Sequence, residues 1–179
     1  IFFTSGAPDI QSVTAIAVDF GNNKWIGTAS SGVYYISSNG TTQYNHFTKE
    51  NSCLLSNNIT AISVNYDGEV FISTSNGICS YKGESSEPSD DNSGIYAFPN
   101  PVRPEYTGTI GVTGLVEDAF VKIVDMAGRV VYSQQSNGGM ITWDGNLPNG
   151  NRASSGVYIV FATNSSGKER AVTKILFIK

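Results

Sequence analysis

The chain has little of what catalytic chemistry uses. It holds one histidine, His46, and two cysteines, Cys53 and Cys79, in 179 residues. A Ser-His-Asp triad could draw only on His46, and no nucleophile-elbow pattern accompanies it, so a surface or edge histidine is the plainer reading. The cysteines match no zinc spacing, and His46 does not complete one. Phosphate loops, paired metal-ligand spacings and dinucleotide fingerprints are missing. An enzyme, a cofactor and a resident metal are therefore not expected. Charged residues are 15% of the chain. No region reaches the basic density of a nucleic-acid surface, so nucleic acid is not an expected partner. No run approaches the ~20 apolar residues of a membrane span. The chain begins at Ile1 with neither a methionine nor a basic leader, which leads us to expect further sequence upstream.

What is present favours strands and turns. Glycine is abundant (19 residues), and long Ala/Leu/Glu/Lys stretches are scarce. The net charge of −4 is unevenly spread. Residues 1–83 are slightly acidic, and residues 95–179 are slightly basic. Between them, residues 84–94 carry Glu84, Glu87, Asp90 and Asp91 with no base. That segment reads as a solvated acidic linker, with a calcium site as the less favoured reading. For Cys53 and Cys79, a disulfide stays open, and two buried thiols in β structure is the other reading.

An internal repeat organises the first half. VTAIAVDF begins at Val13 and ITAISVNY at Ile59, 46 positions later. At that offset Trp25 falls on Phe71, Ile26 on Ile72 and Thr28 on Thr74; after one deletion Gly32 falls on Gly77 and Val33 on Ile78. The first strand of each copy is apolar on both sides, which predicts burial on both faces. Gly21-Asn22-Asn23 and Asp67-Gly68 supply the hairpin turns. Gln43–Phe47 is a candidate fourth, outer strand. Four short strands in about 46 residues is the size of a propeller blade.

Trp25-Ile26-Gly27-Thr28 followed by Gly32-Val33 resembles the two-component-regulator propeller repeat. The stretch Asn51 to Thr60 is similar to the linker into the next such blade. In the second copy Phe71 stands for the tryptophan and Ser73 for the glycine, so it reads as degenerate. The resemblance implies two four-stranded blades within 1–83, with repeats near 13–37 and 59–83. Residues 1–12 read as the outer edge of a third blade. Two blades do not close a propeller, so the chain is expected to be the C-terminal fragment of a longer one.

From Ile95 the composition changes. Seven strand-like runs are predicted, at 95–98, 109–114, 119–126, 129–135, 139–144, 156–163 and 170–178, the signature of a β-sandwich. Pro99-Asn100-Pro101 opens the module. Asp125, Gly128 and Arg129 lie in a hairpin. Trp143-Asp144-Gly145 leads to Gly156-Val157-Tyr158, and the chain ends on a strand from Lys174 to Lys179. In this order the motifs resemble the type A C-terminal sorting domain of the Bacteroidetes type IX secretion system. The Trp-Asp-Gly to Tyr158 segment is also similar to the immunoglobulin-like module of flagellar hook-capping proteins. The resemblance implies an immunoglobulin-like fold read by outer-membrane secretion and attachment machinery, with Lys174 and Lys179 as recognition residues. Turns and core packing account for the same motifs without any chemistry.

The expectation is thus an all-β, non-enzymatic protein of the cell surface or periplasm of a Gram-negative bacterium. Its partners would be the secretion and attachment machinery and, secondarily, a surface polysaccharide, for which Tyr34, Tyr35, Tyr44 and Phe47 are a candidate face. The alternatives are the sensing propeller of a two-component regulator, or accessory modules of a secreted glycan hydrolase.

Overall fold

The computed structural model describes residues 10, 12–91, 93–163 and 169–178. All regular elements among them are β-strands, and the chain divides into two units, Ile1–Gly83 and Glu84–Lys179. Of the segment 1–12, expected to edge a third repeat, only residues 10 and 12 are among the described residues.

In the first unit, β1 (Val13–Val18), β2 (Lys24–Thr28), β3 (Val33–Ile36) and β4 (Gln43–Phe47) pair in sequence order. β5 (Ile59–Val64), β6 (Glu69–Thr74) and β7 (Gly77–Lys82) form a second antiparallel sheet. Four strands were expected there, and three are found among the described residues. After β7 the backbone turns at Gly83, whose N–H donates to the Gly68 carbonyl at 2.9 Å, and residue 84 already belongs to the second unit.

The two sheets repeat each other down to their irregularities. Ile16 faces Ile26, and Ile62 faces Ile72; the register slips between Val13 and Ala15, and again between Ile59 and Ala61. Thr28 Oγ1 donates to the Gly32 carbonyl and Thr74 Oγ1 to the Gly77 carbonyl, both at 2.9 Å. Asp19 Oδ1 accepts the Asn23 N–H at 2.9 Å, and Asn65 Oδ1 accepts the Glu69 N–H at 2.8 Å. Side-chain oxygens thus close the same turns in both copies.

One apolar seam joins the sheets. Trp25, Val33 and Tyr35 meet Leu54, Ile59, Val70 and Ile72, with Ile62, Val64 and Cys79 at its margin. Trp25 is 1% exposed and stacks on Tyr35 and Phe47, with ring centroids 4.2 and 5.6 Å apart. Gly27 is a point of close approach, because a Cβ there would fall 2.5 Å from Ile59 Cγ2.

The outward faces correct an expectation. β1 and β5 were expected to be buried on both sides, yet Ile16 is 63% and Val18 51% exposed. Ala61, Ser63 and Phe71 are exposed on the second sheet. Among the described residues of this unit, the two sheets pack on each other and the opposite side of each is exposed. The repeat gives these faces meaning. Ile16, Val18 and Ile26 stand at the repeat positions of Ile62, Val64 and Ile72, which lie in the seam. Phe71 and Ile78 stand at the positions of Trp25 and Val33, also in the seam. The open faces thus carry, position for position, the apolar residues that form the two sides of the seam.

In the second unit, β8 (Tyr96–Phe98), β9 (Ile110–Thr113) and β12 (Met140–Trp143) form one sheet, ordered β12-β9-β8. β10 (Phe120–Val124), β11 (Val130–Gln135), β13 (Gly156–Thr163) and β14 (Glu169–Phe177) form the other, ordered β11-β10-β13-β14. Alternate residues of both sheets share one core, with Ile110, Val112, Ile141 and Trp143 against Ile123, Tyr158, Val160, Ile175 and Phe177. The segment expected as a solvated linker is docked on this unit through its backbone. Gly139 N–H donates to the Ser86 carbonyl, and Ser89 N–H to the Leu115 carbonyl, both at 2.8 Å. Ser85 and Ser86 are buried, while Glu84, Glu87, Asp90 and Asp91 stay exposed.

Candidate functional site

The C-terminal strand and the segment that holds it form the candidate site. Pro99 and Pro101 have no N–H and cannot donate to a ladder. Asn100 between them supplies the missing groups from its side chain. Its Nδ2 donates to the Lys174 carbonyl at 2.9 Å, and its Oδ1 accepts the Leu176 N–H at 3.0 Å. Two residues on, the backbone takes over. Val102 N–H donates to the Leu176 carbonyl at 2.7 Å, and Ile178 N–H donates to the Val102 carbonyl at 3.0 Å. The outer edge of β14 is thus occupied from Lys174 to Ile178, and buried Val102 anchors the clasp.

Beneath the clasp lies an aromatic triangle. Trp143, Tyr158 and Phe177 meet edge to face, with centroids 5.2 to 5.7 Å apart. This geometry sets positive ring edges against negative faces. Trp143 Nε1 donates to the Asn146 carbonyl at 2.9 Å, and Tyr158 Oη donates to the Ser154 carbonyl at 3.0 Å. Burial pushes the Tyr158 phenol above its usual range. The Arg152 guanidinium lies over the Phe177 ring and donates to the carbonyls of Asp144 and Tyr106. Gly156 begins β13 at φ +154, a backbone state that other residues rarely adopt.

Asp125 and Arg129 close the hairpin between β10 and β11. Asp125 Oδ1 accepts the N–H groups of Ala127 at 2.9 Å and Arg129 at 3.0 Å. Arg129 Nε and Nη2 both reach Asp125 Oδ2 at 2.8 Å. The Arg129 backbone N–H is the main cause that holds the Asp125 carboxyl below its usual range. Gly128 sits between them at φ +79. Lys174 is exposed on the outer face of β14, in a shallow apolar depression with Met126, Val157, Ile159 and Val172. Lys179 lies outside the described residues.

Of the four proposed glycan-binding aromatics, the structure groups Tyr35, Tyr44 and Phe47 around Trp25, with the Tyr44 ring 5.3 Å from that of Tyr35, and sets Tyr34 apart. Tyr34 is buried, with the His46 ring stacked on it at 4.1 Å. Tyr35 and Phe47 are stacked on Trp25, which leaves Tyr44 as the exposed member of the four. His46 is on β4, an edge strand, and its Nε2–H donates to the Ser31 carbonyl at 2.6 Å. Among the described residues, no three His, Cys, Asp or Glu side chains are grouped to hold a metal ion. Among the described residues, no helix is long and apolar enough to cross a membrane.

Sequence reasoning missed two groups of residues. It named Asn100 as a sorting-domain motif residue but not its side-chain pairing with β14, although a lone amide flanked by residues without donors is a signal for such pairing. It also passed over Asp19, a buried carboxylate that accepts from Asn23 and, at 2.9 Å, from the Tyr35 hydroxyl. The repeat equivalence of Asp19 and Asn65 was the available signal.

Residues 94–179 match the family described as the secretion system C-terminal sorting domain. Among solved structures, the chain is similar to PorZ, described as an essential bacterial surface component of the type IX secretion system of Porphyromonas gingivalis. The identity is 35%, the TM-score 0.61, and the match covers 93% of this chain and 23% of PorZ. The chain thus spans about a quarter of the length of the PorZ chain it matches. Weaker likenesses are to dimeric latent PorU of the same organism (21% identity, TM-score 0.36, 62% of this chain and 12% of that one) and to the extracellular domain of BT4673 from B. thetaiotaomicron (13%, 0.30, 93% and 25%). No curated protein matches. Together, the sorting-domain match and the PorZ likeness mark the chain as related to the type IX secretion proteins of Bacteroidetes.

Proposed function

We propose that this chain is a non-enzymatic part of an extracytoplasmic β-propeller protein, and that its second unit is an immunoglobulin-like address read by the outer-membrane type IX secretion machinery. The observation that carries the reading is the sorting-domain match over 94–179, ending on a strand whose edge is clasped by Asn100. A folded address presents its recognition groups as side chains on a rigid element, and Lys174 is such a group. The propeller half of the reading is supported by the two open faces of the first unit, which carry at repeat positions the apolar residues of the two sides of the seam. It is further supported by the likeness to PorZ.

The test is export in a host that has the translocon. Deletion of 170–179 is expected to leave the protein in the periplasm. Because that deletion also removes Ile175 and Phe177 from the core, Lys174→Glu is the companion variant, placed on an exposed side chain. It is expected to lower the surface-exposed fraction while leaving the thermal midpoint in place. Unchanged surface exposure in both variants, read by protease accessibility on intact cells, would refute the reading.

A further inference from the structure

Cys53 stands in the loop between β4 and β5, and Cys79 stands on β7. The fold brings them together. The Cys53 sulfur lies 3.6 Å from the carbonyl oxygen of Ser80, the residue after Cys79. That contact sets Cys53 against the backbone of β7 beside Cys79, whose side chain lies at the margin of the seam. Their surroundings fix this corner. Leu54, next to Cys53, is buried in the seam with Ile72, the residue paired with Cys79 across the sheet. The Phe47 and Tyr81 rings, 4.9 Å apart, close the same corner. Cys53 is exposed and Cys79 half-buried, and both are free thiols here. Burial, followed by the contact with Cys53, pushes the Cys79 thiol up to about 12.

We propose that Cys53 and Cys79 are a disulfide-forming pair, closed in the exported protein by the disulfide of a thiol oxidoreductase or of a small thiol. The inference rests on the extracytoplasmic reading above, since disulfides persist in oxidising compartments. The exposed Cys53 is reached first. Its sulfur attacks the incoming disulfide, that S–S bond breaks, and one thiol leaves with the Cys53 proton. The Cys79 sulfur then attacks the mixed disulfide, and the second thiol leaves with the Cys79 proton. The two cysteines lose two electrons and two protons, and the incoming disulfide takes both. The bond ties the loop to β7, the last strand of the second sheet among the described residues.

The test uses the full chain, reduced and then incubated with oxidised glutathione. Thiols are counted after denaturation, and peptides are mapped by mass. Both thiols are expected to disappear into one Cys53–Cys79 linked peptide without retained glutathione. Two remaining thiols, stable glutathione adducts or covalent dimers would overturn the proposal. Cys79→Ser is expected to keep glutathione on Cys53, since the displacing thiol is gone; an unmodified Cys53 would overturn the proposed order of attack. In cells with the secretion machinery, alkylation before lysis is expected to find both cysteines blocked on the exported protein, and free thiols there would overturn the proposal. Fractionation of the same cells reads location independently, so a failure of export is told apart from a failure of the pair.

Discussion

Asn100→Ala removes the clasp on the C-terminal strand without touching the core. Two hydrogen bonds are lost, to the Lys174 carbonyl and from the Leu176 N–H. A net protein hydrogen bond is worth about 0.5–1.5 kcal/mol, and a buried group left unmade costs more. Both bonds lie at the exposed edge, so water replaces them and the low end of the range applies. The expected loss is about 1–1.5 kcal/mol, or roughly tenfold in local opening. Native-state hydrogen exchange at the Leu176 amide reads this directly. The Ile178 amide, bonded to Val102, is expected to lose protection with it, because both bonds depend on the same short segment. Asn100→Asp sharpens the test. It keeps an acceptor for Leu176 N–H but sets a carboxylate oxygen against the Lys174 carbonyl, so it is expected to be no better than alanine. Unchanged Leu176 exchange in Asn100→Ala, or an aspartate variant as protected as the parent, would refute the reasoning.

Three further outcomes follow from the geometry. Asp19→Ala takes the shared carboxylate from buried Asn23 and Tyr35; with hydrogen bonds to charged groups worth about 1.5–3 kcal/mol, the first unit is expected to lose about 2–3 kcal/mol in urea unfolding, and a loss under about half a kcal/mol would count against the network. Gly27→Ala would set a methyl 2.5 Å from Ile59 Cγ2 and is expected to cost about 1–3 kcal/mol, whereas Gly94→Ala, with nothing within 4 Å, is expected to leave the thermal midpoint unchanged. The depressed Asp125 pKa makes a pH test: its contribution is fully present above the unfolded value of about 3.9 and is lost as pH falls through the lower folded value. The stability difference between parent and Asp125→Asn is therefore expected to be constant from neutrality to about pH 5 and to vanish in stronger acid.

How far the fold could be read depended on whether one residue's environment was local. The seven strands of the second unit lie within three residues of the expected runs, because period-two patterning and turn residues such as Gly128 and Gly145 are local signals. The 46-residue repeat was legible for the same reason. Whether β1 is covered on one face or two depends on what lies beside the sheet, which the apolar run of β1 does not encode. The linker was misjudged because its four acids are solvated while its backbone is docked. Tyr34 falls outside the aromatic group on parity, since Tyr34 and Tyr35 are neighbours in sequence and point to opposite sides of one strand. The Asn100 clasp and the Cys53 contact join positions far apart in the chain, and neither leaves a periodic trace.

The seam of the first unit has a geometric consequence. Its two open faces correspond, by the repeat, to opposite sides of that seam, so the repeat matches each face to the other and not to itself. Contact through them is head to tail, and every such contact leaves a fresh pair of faces at the ends. Growth of this kind stops when the rotation between neighbours closes a ring. That rotation is set where neighbouring sheets approach closely, and here one such point is Gly27 against Ile59. The absence of one methyl group at Gly27 is thus what lets these two sheets come this close.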